Sequence, residues 1–406
     1  MAGATPGGSS GSAWLGRRVA VTGLGVLACC GTGIEDFWNG LLAAPPEGER
    51  RVKGYDPLDW FGPKEARRID RFAGMAVAAA EGALADAGGR DAVVGDPTRA
   101  GVLIGSGVGG LATLEEQIVI HHEKGSRRVT PFLVPMMMSN AGAAAVSMRF
   151  GFQGPCETVV TACAAGTHSV GNAFQLVRSG RCDVVLAGSS EAAMTPVGIA
   201  GFSNMTALSG SGRSMPFDVD RDGFVISEGA GVLVLEEWDR AVARGARIYA
   251  EMLGSASTAD AHHITAPAPG GSGAVTCMEL AMSDARLCAA DIRHINAHGT
   301  STPLNDAAEA EAVAKVFGSP GPLITSTKGV TGHALGAAGS IEAVALALTL
   351  HHRLIPPTAG TTTVDPKFHL NLVLGNAREW EPGPSLSNSF GFGGHNGSLV
   401  MGPPTP

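Results

Sequence analysis

The stretch Thr158-Val-Val-Thr161-Ala162-Cys163-Ala164-Ala165-Gly166-Thr167 changes character at its cysteine. The residues before Cys163 are apolar or β-branched, as in a buried strand, and those after it are small, as where a helix opens. A strand that stops at a cysteine where a helix begins aims the thiol at unpaired N–H groups and a positive dipole end. That setting favours thiolate, the nucleophilic form. The same residue reads equally as a small buried hydrophobe, which is what most free cysteines are. The rest of the chain decides between the two.

Outward from Cys163, strand and helix signals alternate. Strands are expected at Arg17–Gly23, Gly101–Gly105, Cys156–Ala162, Asp183–Ala187 and Gly231–Glu236, with helices at Met75–Ala87 and Gly166–Ser179. A second series follows: strands at Tyr249–Gly254, His294–Ala297 and Leu323–Ser326, helices at Gly273–Leu287, Asp306–Phe317 and Gly339–His351, and closing strands at Leu386–Ser389 and Gly397–Gly402. Alternation of this kind predicts an α/β fold with helices covering largely buried sheets. The similar order of the two series suggests a duplicated α/β unit, with chemistry from both halves meeting between them. The expected division is a disordered Gly/Ser-rich tail over 1–15, an N-terminal half over 16–247 that carries Cys163, and a C-terminal half over 248–406.

Composition narrows the function. A chain of 406 residues that is 44% hydrophobic can build a large core, or two closely packed ones. Seven cysteines, odd in number and without a C-x-x-C pairing to histidines, support neither a disulfide framework nor a metal site, and a reducing cytoplasm is the expected setting. No apolar run approaches a membrane span, and the opening residues lack signal-peptide regions. A net charge of −8 argues against nucleic acid. One basic cluster departs from that balance: Lys64, Arg67, Arg68 and Arg71, behind Pro63 at a helix-opening position. It is either a solvated helix face or a dock for an acidic partner.

Three more segments combine chemical groups with flexible backbone. Asn296-Ala-His298-Gly-Thr-Ser-Thr-Pro303 ends a strand on a histidine and then turns through glycine, a position that suits catalysis as well as simple core packing. Thr325-Ser-Thr-Lys328-Gly-Val-Thr-Gly332-His333-Ala-Leu-Gly-Ala-Ala-Gly339 sets a lysine and a histidine in a glycine-rich loop where backbone can approach a ligand. Asn388-Ser-Phe390-Gly-Phe-Gly-Gly394-His-Asn396 surrounds aromatic rings with glycines, which suits a gate.

These four segments together resemble the β-ketoacyl-[acyl-carrier-protein] synthases of the elongating type, including the ketosynthase subunits of type II polyketide synthases. The resemblance runs from Arg18 to Met401, with the motifs in the family's order and at family-like spacings. It implies a thiolase-like fold of duplicated α/β units in α-β-α-β-α layers. It makes Cys163 the acyl-accepting nucleophile and His298 and His333 the pair that promotes malonyl decarboxylation. Lys328 matches the active-site lysine, Glu309 its glutamate partner, and Phe390 the gate, whose N–H with that of Cys163 would form the oxyanion hole. Thr300 and Thr302 match residues on the phosphopantetheine arm, although local caps explain them too. Val108 and Leu133 fall where the family lines its acyl pocket near the dimer interface, and Lys64, Arg67 and Arg68 where it meets acyl carrier protein. No cofactor or metal is implied. The implied assembly is a homodimer, or a heterodimer with a chain-length factor.

The chain departs from the family pattern in three places. Ser214-Met-Pro-Phe-Asp218 lacks the usual arginine, Gly329-Val330 replaces Ser-Met, and Ala164-Ala165 follows the nucleophile where Thr-Ser is frequent. None removes a group the reaction needs. Cys163 with both histidines speaks against a non-catalytic chain-length factor, and the absence of cysteine after Cys288 against a coenzyme A thiolase. His333 speaks against a starter-type synthase, which carries asparagine at one histidine position. Thr22-Gly-Leu-Gly25 and Gly105-Ser-Gly-Val-Gly109 lack the acidic residue of a dinucleotide fingerprint and read better as tight turns.

Overall fold

A computed structural model describes residues 16–405, so the tail expected over 1–15 lies outside the described residues. One 12-stranded mixed sheet runs through the chain. Its N-terminal part is ordered Cys156–Glu157, Ala100–Gly105, Val184–Glu191, Gly229–Glu237, Val19–Ala28. Its C-terminal part repeats that order as Leu323–Thr325, His294–Asn296, Ser385–Gly391, His395–Gly402, Ala250–Ala259. Directions repeat as well: in each part the first three strands are parallel and the last three antiparallel. Val19–Ala28 and Ala250–Ala259 pair antiparallel and join the halves. The duplication suggested by the order of elements is therefore built into the sheet.

Helices complete the α-β-α-β-α layering. Ala165–Arg178 and Ala338–His352 lie between the two parts of the sheet and touch strands of both. All residues from Ala338 to Leu350 are buried, as expected of a helix without a polar face. Arg71–Asp86 and Ala141–Phe150 cover the outer side of the N-terminal part around Phe72, Val77, Val102 and Val146. Ser272–Asp284 and Pro303–Phe317 cover the C-terminal part around Met278, Ile295, Val313 and Leu386. Among the described residues no helix is long and apolar enough to cross a membrane.

Most expected elements exist with shifted ends, and one differs in kind. The run before Cys163 pairs only over Cys156–Glu157, against Val102 and Leu103. The neighbouring strand runs two residues further, to Gly105, but beyond Glu157 the segment is tied to that side by the Ser106 N–H, which donates to the Val159 carbonyl at 3.2 Å.

Candidate active site

Cys163 sits in a tight turn, Ala162–Ala164, directly ahead of the Ala165–Arg178 helix. Ala162 takes a left-handed φ of 49°, an unusual conformation for a residue with a Cβ, and this sharp entry directs the thiol inward. His168 braces the turn from one helical turn onward: its Nδ1 lies 2.8 Å from Thr161 Oγ1 and its Nε2 2.9 Å from the Asn396 carbonyl. Cys163 is 8% exposed, and burial pushes its thiol up to about 11. The Lys328 charge and the Phe392 N–H pull it down. Desolvation therefore outweighs the lysine and the N–H groups, which favours the thiol over the thiolate its position suggested.

The histidines come from the other half. His333 Nε2 lies 3.1 Å from Cys163 Sγ. Its backbone is anchored on both sides, donating to the Val225 carbonyl at 2.7 Å and accepting from the Ser227 N–H at 3.0 Å. His298 follows the His294–Asn296 strand, and its ring centroid is 5.3 Å from that of His333, nearly perpendicular. Burial, with the Lys328 charge, holds both imidazoles well below the usual range, so both are neutral. Lys328 Nζ donates to the His298 carbonyl at 2.6 Å and lies 3.3 Å from His298 Nδ1. An ammonium has no acceptor, so it faces the lone pair of Nδ1 and leaves the ring proton on Nε2.

Two expected roles are corrected. Glu309 does not pair with Lys328. It accepts the backbone N–H groups of His298 at 2.8 Å and Gly299 at 2.7 Å, because the Pro303–Phe317 helix presents it beneath that turn. The ion-pair partner of Lys328 is Glu342, on the buried Ala338–His352 helix. Burial raises Glu342 to about 7, with Lys328 pulling against it. The second correction concerns the oxyanion donor. Phe390 is held inside the Ser385–Gly391 strand, with its ring 6.0 Å from that of His298. The N–H groups that face Cys163 Sγ are those of Cys163 itself and Phe392. Phe392 lies in a turn whose next two glycines have φ of 85° and 74°, so it has the backbone freedom a gate requires.

Cys163, His298, His333, Phe390 and Phe392 open on one cavity of about 360 Å³. Thr300 and Thr302 line it too, with hydroxyls 2.9 Å apart, and Thr302 also caps the following helix. Val108 and Leu133 do not line it. Val108 is 47% exposed at the tip of the turn after Gly105, and Leu133 opens a short partly exposed helix. Lys64, Arg67 and Arg68 are exposed, and Arg68 stacks on Phe132 at 4.2 Å. Arg71 is not part of this free patch, since it pairs with buried Glu228 at 2.6 Å.

Sequence reading missed Glu342, although Ser340-Ile-Glu342-Ala-Val-Ala set a lone carboxylate inside an apolar helix. It also missed the loop over the cavity mouth. Asp260 Oδ1 accepts from Asn396 Nδ2 at 2.7 Å, and the Gly393 N–H donates to the Ile264 carbonyl at 2.7 Å.

Two family models match the chain: the N-terminal domain of β-ketoacyl synthases over 49–241 and the C-terminal domain over 249–362. The chain belongs to the β-ketoacyl synthase family. Among curated relatives, 3-oxoacyl-[acyl-carrier-protein] synthase 2 of Synechocystis sp. is 42% identical over 95% of this chain and 98% of its own. The protein of the same name from Rhizobium meliloti is 41% identical over the same shares. Among solved structures, the ishigamide ketosynthase/chain length factor matches with a TM-score of 0.90 at 33% identity, over 96% of this chain and all (100%) of that one. A type II polyketide ketosynthase, bound to the hexaketide in complex with its acyl carrier protein, matches at 0.87 and 33% over the same shares. This β-ketoacyl synthase thus has the thiolase-like fold expected of it.

Proposed function

We propose that the protein is a 3-oxoacyl-[acyl-carrier-protein] synthase that joins a malonyl unit to an acyl chain held on Cys163. The observation that carries the reading is the 3.1 Å contact of His333 Nε2 with Cys163 Sγ, beside a second neutral histidine in one cavity, with buried Lys328 behind that histidine. In the first half-reaction Sγ bonds to the acyl carbon, the carrier thiolate leaves and takes the thiol proton, and the Nε2–H of His333 donates to Sγ. The Cys163 and Phe392 N–H groups stabilise the tetrahedral oxyanion. In the second, the malonyl carboxylate leaves as CO₂ and the C–C bonding pair becomes an enolate. Neutral His298 and His333 donate hydrogen bonds to its oxygen. The enolate carbon then bonds to the acyl carbon, and Cys163 leaves as a thiolate that takes a proton from solvent to restore the resting thiol. Lys328 orients His298 through Nδ1, while Glu309 fixes its backbone.

Thr300 and Thr302 receive the phosphopantetheine arm in this reading, and Lys64, Arg67 and Arg68 meet an acidic carrier protein in a cytoplasmic setting. The test is to supply acyl and malonyl carrier proteins and look for the 3-oxoacyl product. Wild type should form it, and Cys163→Ala should not, while still releasing some CO₂. His298→Ala or His333→Ala should lose CO₂ release. A second reading, as the ketosynthase subunit of a type II polyketide synthase with a chain-length factor, is favoured by the fit to the two polyketide ketosynthases. Co-purification with a cysteine-less homologue selects it, and a homodimer active on fatty acyl chains selects the first.

A further inference from the structure

Glu191 ends the Val184–Glu191 strand, is fully buried, and has no basic partner among the described residues. Its bonds are made to a cradle of donors instead. Oε2 accepts from the N–H groups of Gly107 at 2.6 Å and Gly336 at 3.2 Å, and Oε1 accepts from Ser106 Oγ at 3.0 Å. The Val108 N–H adds to these. Ser106 Oγ in turn accepts from the Gly109 N–H at 3.0 Å, which closes the turn. The cradle has no room for a side chain: a Cβ on Gly107 would lie 2.6 Å from Oε2, and one on Gly336 2.7 Å from Oε2 and 2.1 Å from the Gly107 nitrogen. One carboxylate thus ties a turn of the N-terminal half to the segment three residues past His333. Leu335, between them, is held at a φ of 48°, unfavourable for a residue with a Cβ.

We propose that Glu191 is a positioning residue that fixes His333 against Cys163 by clamping the loop beyond it. The backbone of His333 is itself held by its bonds to Val225 and Ser227, and Glu191 anchors the chain three residues beyond it. Without that anchor Leu335 can relax from its strained conformation and carry the imidazole away from Sγ. The inference rests on the reading of Cys163 and His333 as the working pair. A separate sign follows from charge: Glu191 raises the Cys163 thiol, acting with burial and against Lys328 and the Phe392 N–H, while neutral His333 and His298 face the same thiol.

The test compares Glu191→Gln and Glu191→Asp with wild type. An amide cannot accept from every donor in the cradle, because its NH₂ meets N–H groups, and the shorter Asp keeps the charge but cannot reach both turns. Both variants should lose roughly 10- to 100-fold in kcat, with KM for the malonyl carrier changed less than about twofold. Only Glu191→Gln should also move the pH profile of Cys163 alkylation by iodoacetamide to lower pH, a shift that a purely structural defect does not produce. A folded Glu191→Gln with wild-type kcat and an unmoved profile overturns the proposal. If that variant does not fold, wild-type kcat in Glu191→Asp overturns it. Alkylation needs no acyl substrate, so a wild-type chain that made no 3-oxoacyl product would overturn the proposed function and leave this result standing.

Discussion

At Cys163 two textures of physics compete, and the outcome sets how the enzyme works. A helix start lowers a thiol's pKa, and burial raises it; here burial prevails and the thiol sits near 11. Alkylation of the free enzyme should therefore rise about tenfold per pH unit from about pH 7 to 10 without a plateau. A plateau near pH 7 would mean a preformed thiolate. The histidines point the other way along the pH axis. Both are held well below the ordinary imidazole range, so protonation does not disable them, and CO₂ release should stay flat from about pH 8 to 6. The ion pair offers a sharper contrast. Glu342→Gln leaves Lys328 as an unpaired buried charge and should cost about 3–5 kcal/mol in denaturant unfolding. Glu309→Gln leaves that pair intact and should cost less while lowering CO₂ release. The family resemblance pointed to Glu309 as the lysine's partner; the crossing of the Ala338–His352 helix brings Glu342 there instead.

At the scale of elements, the site depends on how closely two helices approach. Gly166 and Gly339 open the central pair, and a methyl group on Gly339 would lie 2.3 Å from Thr167 Oγ1 and 2.5 Å from the Thr167 nitrogen. Gly339→Ala should destabilise the fold by about 1–3 kcal/mol and slow Cys163 acylation, because Cys163 rides on the displaced helix. The His294–Asn296 strand carries another signature. His294 is fully buried against Trp380 with neither ring nitrogen bonded, and burial lowers it to about 3. Since the unfolded histidine titrates near 6.5, stability present above that pH is lost as pH falls toward 3, by up to about 1.4 kcal/mol per unit. His294→Phe should flatten that part of the stability profile. Element types were legible in the sequence because β-branched runs and alanine-rich periodic stretches mark buried strands and helices. The segment before Cys163 has the composition of a strand, but it leads into the Ala162–Ala164 turn that places the thiol, and its pairing stops at Glu157.

For the whole molecule, the repeated strand order gives each half its own set of loops, and loops of both halves line one cavity, where the nucleophile at 163 meets the histidines at 298 and 333. The duplication was visible in the order of elements, but contacts between halves were not, so Glu191, Glu342 and Phe392 emerged only from the fold. The sheet ends on Cys156–Glu157, and nearby Val160 is 49% exposed, an edge that suits pairing with a second chain. The account's central claim is that Cys163 accepts the acyl chain before the new carbon–carbon bond forms. Mass spectrometry of the protein incubated with the acylated carrier protein alone, followed by addition of the malonyl carrier, tests it most directly. The account predicts an acyl adduct on the Cys163 peptide that disappears as 3-oxoacyl product forms. Product formation by Cys163→Ala, or an adduct that persists after the malonyl carrier is added, would contradict it.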